Sequence, residues 1–105
     1  MYKISVIIPC FNHEKFIGRC LRSILDQSLN KKDYEVIVVD DGSSDNSLKI
    51  IKSFGNLVKV IINKKNSGLP YSLNTGIRSS KSKYIVRLDS DDYVNKDFLS
   101  FLLQF

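Results

Sequence analysis

Four short apolar runs recur along the chain, ISVII (4–8), EVIVV (35–39), VKVII (58–62) and YIVRL (84–88), with helix-like segments between and after them. Their length and β-branched content mark them as strands. The first two are apolar at nearly every position, the pattern of strands covered on both faces of a parallel sheet. This β-α-β-α-β-α-β-α alternation predicts an α/β fold with a parallel sheet of about four strands. Right-handed crossovers then give the strand order 3-2-1-4, with helices on both faces. At 105 residues the chain suits one domain built around one core.

The segments between strands carry the helical period. In EKFIGRCLRSILDQ (14–27), Phe16, Ile17, Cys20, Leu21, Ile24 and Leu25 form one apolar stripe. Asn12 is expected to cap that helix. A second helix is expected after Ser43 or Ser44, burying Leu48, Ile51 and Phe54 and stopping at Gly55–Asn56. A third should start near Pro70 and present Leu69, Leu73 and Ile77 to the core. The last should begin after Asn95 and run into FLSFLLQF, which is apolar on more than one face.

Under the order 3-2-1-4, the loops after strands 1, 2 and 4 are neighbours on one rim, beside the switch point where open α/β sheets bind ligands. Those loops read PCFN (9–12), DDGSSD (40–45) and DSDD (89–92). They bring Asp40, Asp41, Asp89, Asp91 and Asp92 together beside Phe11. Like charges this close repel unless something positive sits among them. A histidine-poor, oxygen-rich set suits Mg²⁺ or Mn²⁺, which take further ligands from phosphates. A cation held there would bridge a diphosphate. Phe11 is placed to lie against a flat base, and Asp41 to accept from an N–H on that base's edge. Each motif alone has a plainer reading. DDGSSD is also a good strand-to-helix turn, with Asp40 the more structural acid; Phe11 alone is an ordinary core residue; and DSDD alone is a solvated turn. DSDD lacks the glycine and distal glutamate of an EF-hand.

Sixteen basic against eleven acidic residues give a net charge of +5, a mild excess carried by scattered lysines. No basic patch interleaved with aromatics occurs, so nucleic acid is not an expected partner. Cys10 and Cys20 have no metal-type spacing and His13 stands alone, which argues against zinc. Two thiols suit a reducing compartment. The opening MYKISVIIPCFN is too short in its apolar run for a membrane span or signal peptide. The expected location is therefore cytoplasmic, or peripheral at the inner face of the membrane.

SVIIPCFN, EVIVVDDGSSD, NSGLPYSLNTGI and YIVRLDSDDYV, in this order, resemble the nucleotide-sugar-binding half of family 2 glycosyltransferases. The resemblance spans Ile4 to about Phe98. It implies the Rossmann-like half of a GT-A fold, an inverting transferase and a D-x-D motif with a divalent metal. It implies that Pro9, Cys10 and Phe11 line the nucleotide pocket and that Asp41 contacts the base, commonly uracil. Asp89 and Asp91 would be the D-x-D pair, with Asp91 the main metal ligand, Asp89 nearer ribose and metal, and Asp92 in support. Asn66 and Gly68 would shape the loop beside the donor, the glycine allowing close backbone approach. Many members carry an arginine before the asparagine of the third motif, where this chain has Leu73 before Asn74.

Family members also continue into an acceptor-binding half that supplies the catalytic base, and residues 1–105 are expected to be the donor-binding domain without it. No catalytic residue is therefore assigned within the chain. The acids at the strand ends are committed to metal and nucleotide, and a metal-bound carboxylate is a poor base. The expected partners are a nucleotide-diphospho-sugar and a saccharide or lipid-linked acceptor. Self-association is expected through the exposed C-terminal helix. Two functional readings follow: a donor-binding portion of a transferase in polysaccharide or glycoconjugate synthesis, or a non-catalytic nucleotide-binding module.

Overall fold

In the computed structural model, which describes residues 2–104, Val6, Ile7 and Ile8 are each 0% exposed. They lie in β1 (Tyr2–Cys10), the inner strand of a four-stranded sheet. β2 (Tyr34–Asp41) and β4 (Ser82–Arg87) flank it, and β3 (Lys59–Asn63) lies outside β2. All pairings are parallel, in the order β3-β2-β1-β4 expected from the alternation. Consecutive β1 residues face opposite sides of the sheet, so an apolar run without a polar alternate requires helices above and below.

Helices α1 (Ile17–Leu25), α2 (Ser47–Lys52) and α4 (Phe98–Leu102) cover one face. There Ile4, Val6, Ile8 and Cys10 pack with Ile17, Cys20, Leu21 and Ile24 of α1, Ile51 of α2 and Leu99 of α4. α3 (Leu69–Ser79) covers the other face, with Leu73 against Ile7, Ile37 and Val39. β4 is less protected: Tyr84 is 52% and Ile85 41% exposed, although they face opposite sides.

Several local expectations are corrected. α1 begins at Ile17, not at residue 14, and Asn12 does not cap it. Asn12 instead adopts φ 53°, and its Oδ1 accepts from Ser44 N (2.8 Å) and Asp45 N (3.3 Å). It therefore ties the β1 end to the turn before α2. α2 itself is short; Ile51 is fully buried, while Leu48 and Phe54 are half-buried, Phe54 lying just past the helix. On α3, Leu69 and Ile77 are each 44% exposed, and the buried positions are Ser72 and Gly76. The apolar stripe is displaced because the helix lies too close to the sheet for large side chains. A Cβ at Gly76 would stand 2.5 Å from Ile7 Cγ2 and 3.4 Å from Val39 Cγ2.

The start of α3 is fixed by Asp41, the last residue of β2. It pairs in register with Asn63 of β3, whose Nδ2 donates to Asp41 Oδ1 at 2.9 Å. Ser67 N donates to the same oxygen at 2.8 Å, and Gly68 N donates to Oδ2 at 2.9 Å. The carboxylate thus takes up amide groups that a helix start leaves unpaired. Burial pushes the Asp41 carboxyl upward. The Asn63, Ser67 and Gly68 donors and the Ser72 hydroxyl outweigh it, and the result lies below the ordinary carboxylate value. Gly42 completes the arrangement: at φ 73°, a Cβ would sit 2.6 Å from the Lys65 carbonyl carbon. The two loops touch backbone to backbone.

Gly76→Ala is expected to destabilise the fold by about 1–3 kcal/mol through overpacking, despite alanine's better helix propensity. Urea denaturation reads this, and an equally stable variant would show that α3 can lift freely from Ile7. The depressed Asp41 carboxyl contributes stability that is complete above the unfolded aspartate value of about 4 and is lost as pH falls through the lower folded value. Asp41→Asn should therefore lower stability at neutral pH by about 1–3 kcal/mol and flatten the acid limb of a stability-versus-pH series. An unchanged acid limb would assign that slope to other carboxylates.

Candidate functional site

A cleft of about 530 Å³ opens at the carboxyl ends of the strands. Pro9, Cys10 and Phe11 line it from β1, Asp41 from β2, Asn66 and Gly68 from the approach to α3, and Asp89 and Asp91 from the segment after β4. These eight of the residues singled out in the sequence thus face one space, while Asp40 and Asp92 lie outside its lining. His13, Leu69, Ser72, Arg87 and Ser90 complete the lining and were not singled out as contacts. A smaller cavity of about 340 Å³ lies at the opposite, amino ends of the strands, between Tyr2, Tyr34 and Lys59.

The parallel register brings these loops together. Cys10 pairs with Asp40, so the β1 and β2 exits run side by side, and Ile7 pairs with Arg87 on the other flank. Leu88 N then donates to Ile7 O at 3.0 Å, which anchors the DSDD segment against β1. Phe11, 43% exposed, stands at the lip with a ring free to meet a planar group. Asp41 is only 4% exposed and lines the cleft, its carboxylate accepting from Asn63, Ser67, Gly68 and Ser72. Gly68 has φ 98°, and a Cβ there would approach only Pro70, at 3.9 Å. Its backbone angle, rather than a close approach, calls for glycine.

Asp89, Asp91 and Asp92 each offer a carboxylate oxygen within 4.8 Å of the others. Asp92 N donates to Asp89 O at 3.0 Å, closing the turn that gathers them, although Asp92 lies outside the cleft lining. Arg87 balances the cluster: its Nε and Nη2 both lie 2.9 Å from Asp89 Oδ1. Exposed pairs of this kind contribute about 0.2–1 kcal/mol. Oxygen ligands about 2.1 Å from one Mg²⁺ stand at most about 4.2 Å apart. The cluster therefore closes around such a cation with small side-chain rotations. Its all-carboxylate donor set suits Mg²⁺ or Mn²⁺ rather than zinc.

Beneath the acids lies a buried polar layer. Ser90, 2% exposed, meets His13 Nδ1 through its hydroxyl at 2.5 Å, and His13 N donates to Ser47 Oγ at 2.9 Å. His13 thus has an orienting partner that the sequence did not reveal. Cys20 Sγ donates to Asp89 O at 3.6 Å. Burial pushes the Cys10 thiol up to about 11 and the Cys20 thiol up to about 12. Both are protonated packing groups at neutral pH. Cys10, 1% exposed, forms the floor of the cleft rather than a reactive edge. Asp40, expected to be the more structural acid, is less bonded than Asp41: Oδ2 accepts from Ser43 N at 3.2 Å, while buried Oδ1 has no protein partner among the described residues.

Arg87 was the most readable of the missed residues, being a charged side chain set between an apolar run and the acids. Ser72 was hidden because its importance comes from the close approach of α3, which the helical period does not encode.

Residues 5–105 match the sequence profile of Glycosyl transferase family 2. The chain is 41% identical over 108 residues to the poly(ribitol-phosphate) beta-N-acetylglucosaminyltransferase TarP of Staphylococcus aureus, covering 100% of this chain and 33% of that protein. It is 44% identical over 102 residues to the poly(ribitol-phosphate) beta-glucosyltransferase of Bacillus spizizenii, covering 92% and 16%. The chain thus spans a third or less of these curated relatives. Among solved structures, S. aureus TarS 1–349 in complex with UDP-GlcNAc superposes with a TM-score of 0.90 at 37% identity, covering 97% of this chain and 30% of that one. The mannosyltransferase PcManGT of Pyrobaculum calidifontis, in complex with GDP-Man and Mn²⁺, gives 0.81 at 25% identity, covering 89% and 29%. The sheet order and helix placement are those of these GT-A-type enzymes, and the chain belongs to glycosyltransferase family 2.

Proposed function

We propose that this chain is the donor-binding portion of a transferase that takes a sugar from a nucleoside diphosphate, UDP being the best-supported nucleotide. The observation that carries the reading is the opposition, across one cleft, of Asp41 and the pair Asp89 and Asp91, with Asp92 gathered beside that pair just outside the lining. One end offers a buried acceptor and an exposed aromatic ring, suited to a base. The other offers hard oxygen ligands, suited to a cation on a diphosphate. The distance between them is bridged by Pro9 and Cys10 at the end of β1. Complexes of TarS with UDP and with UDP-GlcNAc support the nucleotide class, and the Mn²⁺ complex of PcManGT supports the cation.

Asp89 and Asp91 would hold Mg²⁺ or Mn²⁺, with Asp92 shaping their turn. When bound, such a cation neutralises charge on a departing diphosphate. The chain's own groups do the remaining work. Asp41 accepts from the base, Phe11 covers its face, and the loop carrying Asn66 and Gly68 forms the wall beside the sugar nucleotide. The acceptor class we favour is a polyol-phosphate or polysaccharide chain, on the strength of the poly(ribitol-phosphate) transferases above and the chondroitin synthase of Escherichia coli, 38% identical over 102 residues.

An inverting transfer also needs a general base within hydrogen-bond reach of the acceptor hydroxyl. Among the described residues lining the cleft, the carboxylates are engaged as above. His13 is turned by Nδ1 toward Ser90, which engages that ring nitrogen. The base is therefore assigned to polypeptide other than these residues.

Calorimetric titration with UDP, GDP, TDP and CDP, each with and without Mn²⁺, should show metal-dependent binding with UDP tightest. Asp91→Ala should remove the metal-dependent part. Equal binding with and without Mn²⁺ in both proteins would overturn the assignment of the acids. Incubated with UDP-sugars and acceptor polymer, the purified 105-residue chain should transfer no sugar; turnover would place a working base within it.

A further inference from the structure

The charge balance of the cleft singles out Arg87. Three carboxylates line the space, from Asp41, Asp89 and Asp91, and the one permanently charged cation among the described lining residues is the Arg87 guanidinium. Its backbone is fixed, since it closes β4 in register with Ile7, but its side chain is 47% exposed. Both of its short contacts land on a single oxygen, Asp89 Oδ1. That is not the two-oxygen fork in which arginine holds a carboxylate most firmly. A guanidinium carries five N–H donors in a plane, so this contact leaves most of its donors available to another anion.

The same Asp89 carboxylate belongs to the oxygen cluster suited to a divalent cation. Cation and guanidinium therefore compete for one group. A diphosphate entering the cleft brings the planar oxygen pairs that a guanidinium matches best. We propose that Arg87 is a two-position residue of the donor site: it guards Asp89 while no cation is bound, and turns to the diphosphate oxygens once a cation takes Asp89. This rests on the donor-site reading above. It adds a consequence of its own, because one side chain then couples cation and diphosphate binding, each favouring the other. No second lining group supplies that coupling, since Lys64 and Lys65 on the neighbouring loop are exposed outside the cleft lining.

The test compares the full chain with Arg87→Gln and Arg87→Lys in three titrations: Mn²⁺ alone, inorganic pyrophosphate with saturating Mn²⁺, and UDP with saturating Mn²⁺. Thermal melting serves as a check on folding. Removing an exposed pair should leave Arg87→Gln binding Mn²⁺ alone as tightly as wild type or up to about fivefold more tightly. Loss of charged hydrogen bonds to the diphosphate should weaken both pyrophosphate and UDP by about tenfold or more. Arg87→Lys should recover part of that loss, having the charge without the fork. If Arg87→Gln loses Mn²⁺ and diphosphate affinity in parallel, Arg87 merely holds Asp89 in place and the proposal fails. If pyrophosphate and UDP bind the variant as they bind wild type, it fails as well while the donor site stands. Wild-type protein that binds neither ligand with Mn²⁺ would overturn both the donor-site reading and the role of Arg87.

Discussion

Water reaches neither face of β1 between Ile4 and Ile8, and the rest of the molecule follows from that constraint. Val6, Ile7 and Ile8 leave no alternate position for solvent, so helices must close both sides. Two right-handed crossovers place β2 and β3 on one flank, and a third brings β4 to the other. The break in direction falls beside β1, and its last residues become the floor of the cleft. Cys10 illustrates the consequence: its thiol is packing, and the backbone around it is the surface that a ligand meets.

The acids at the rim are accommodated in three different ways. Asp41 is resolved within the protein by N–H donors and the Ser72 hydroxyl, which makes it a structural clamp. Asp89 is balanced by the half-exposed guanidinium of Arg87, both of whose short contacts reach its Oδ1. Asp91 and Asp92 are exposed to water, which screens them. This gradient from rigid to exchangeable runs across the cleft from the aromatic end to the carboxylate end. It suits a ligand whose base must be recognised and whose phosphates must be neutralised.

Fold class and strand order were legible because they depend on composition at the scale of whole segments. Runs such as EVIVV and YIVRL have no other comfortable use in a soluble chain. The loops that meet on the rim were legible for the same reason, as strand order alone makes them neighbours. What the residues did not disclose depends on contacts between segments. Asn12 looked like a cap for the helix that follows it, yet its oxygen is drawn to Ser44 and Asp45, thirty residues away, because β1 and β2 exit side by side. Leu69 and Ile77 have the period of a buried stripe with Leu73, but Gly76 lets α3 descend onto Ile7, so only Leu73 of the three packs on the sheet while small Ser72 and Gly76 take the closest positions. Asp41 looked freer than Asp40, whereas it is the better bonded of the two.

The position of Leu73 brings these points together. From the family resemblance alone, Leu73 before Asn74 looked like a missing cationic contact. In the structure Leu73 packs beneath α3 with Ile7, Ile37 and Val39, so this helix sends apolar atoms into the sheet and supplies no cation to the cleft. The positive charge required beside three carboxylates then comes from the opposite wall, at the end of β4. Charge placed on a helix that rests on a close-packed sheet moves little, because α3 is seated on Ile7 with no spare distance. Charge placed on an exposed arginine at a strand end can exchange partners without disturbing the core. A countercharge at the strand end is therefore held apart from the packing that seats α3 on the sheet.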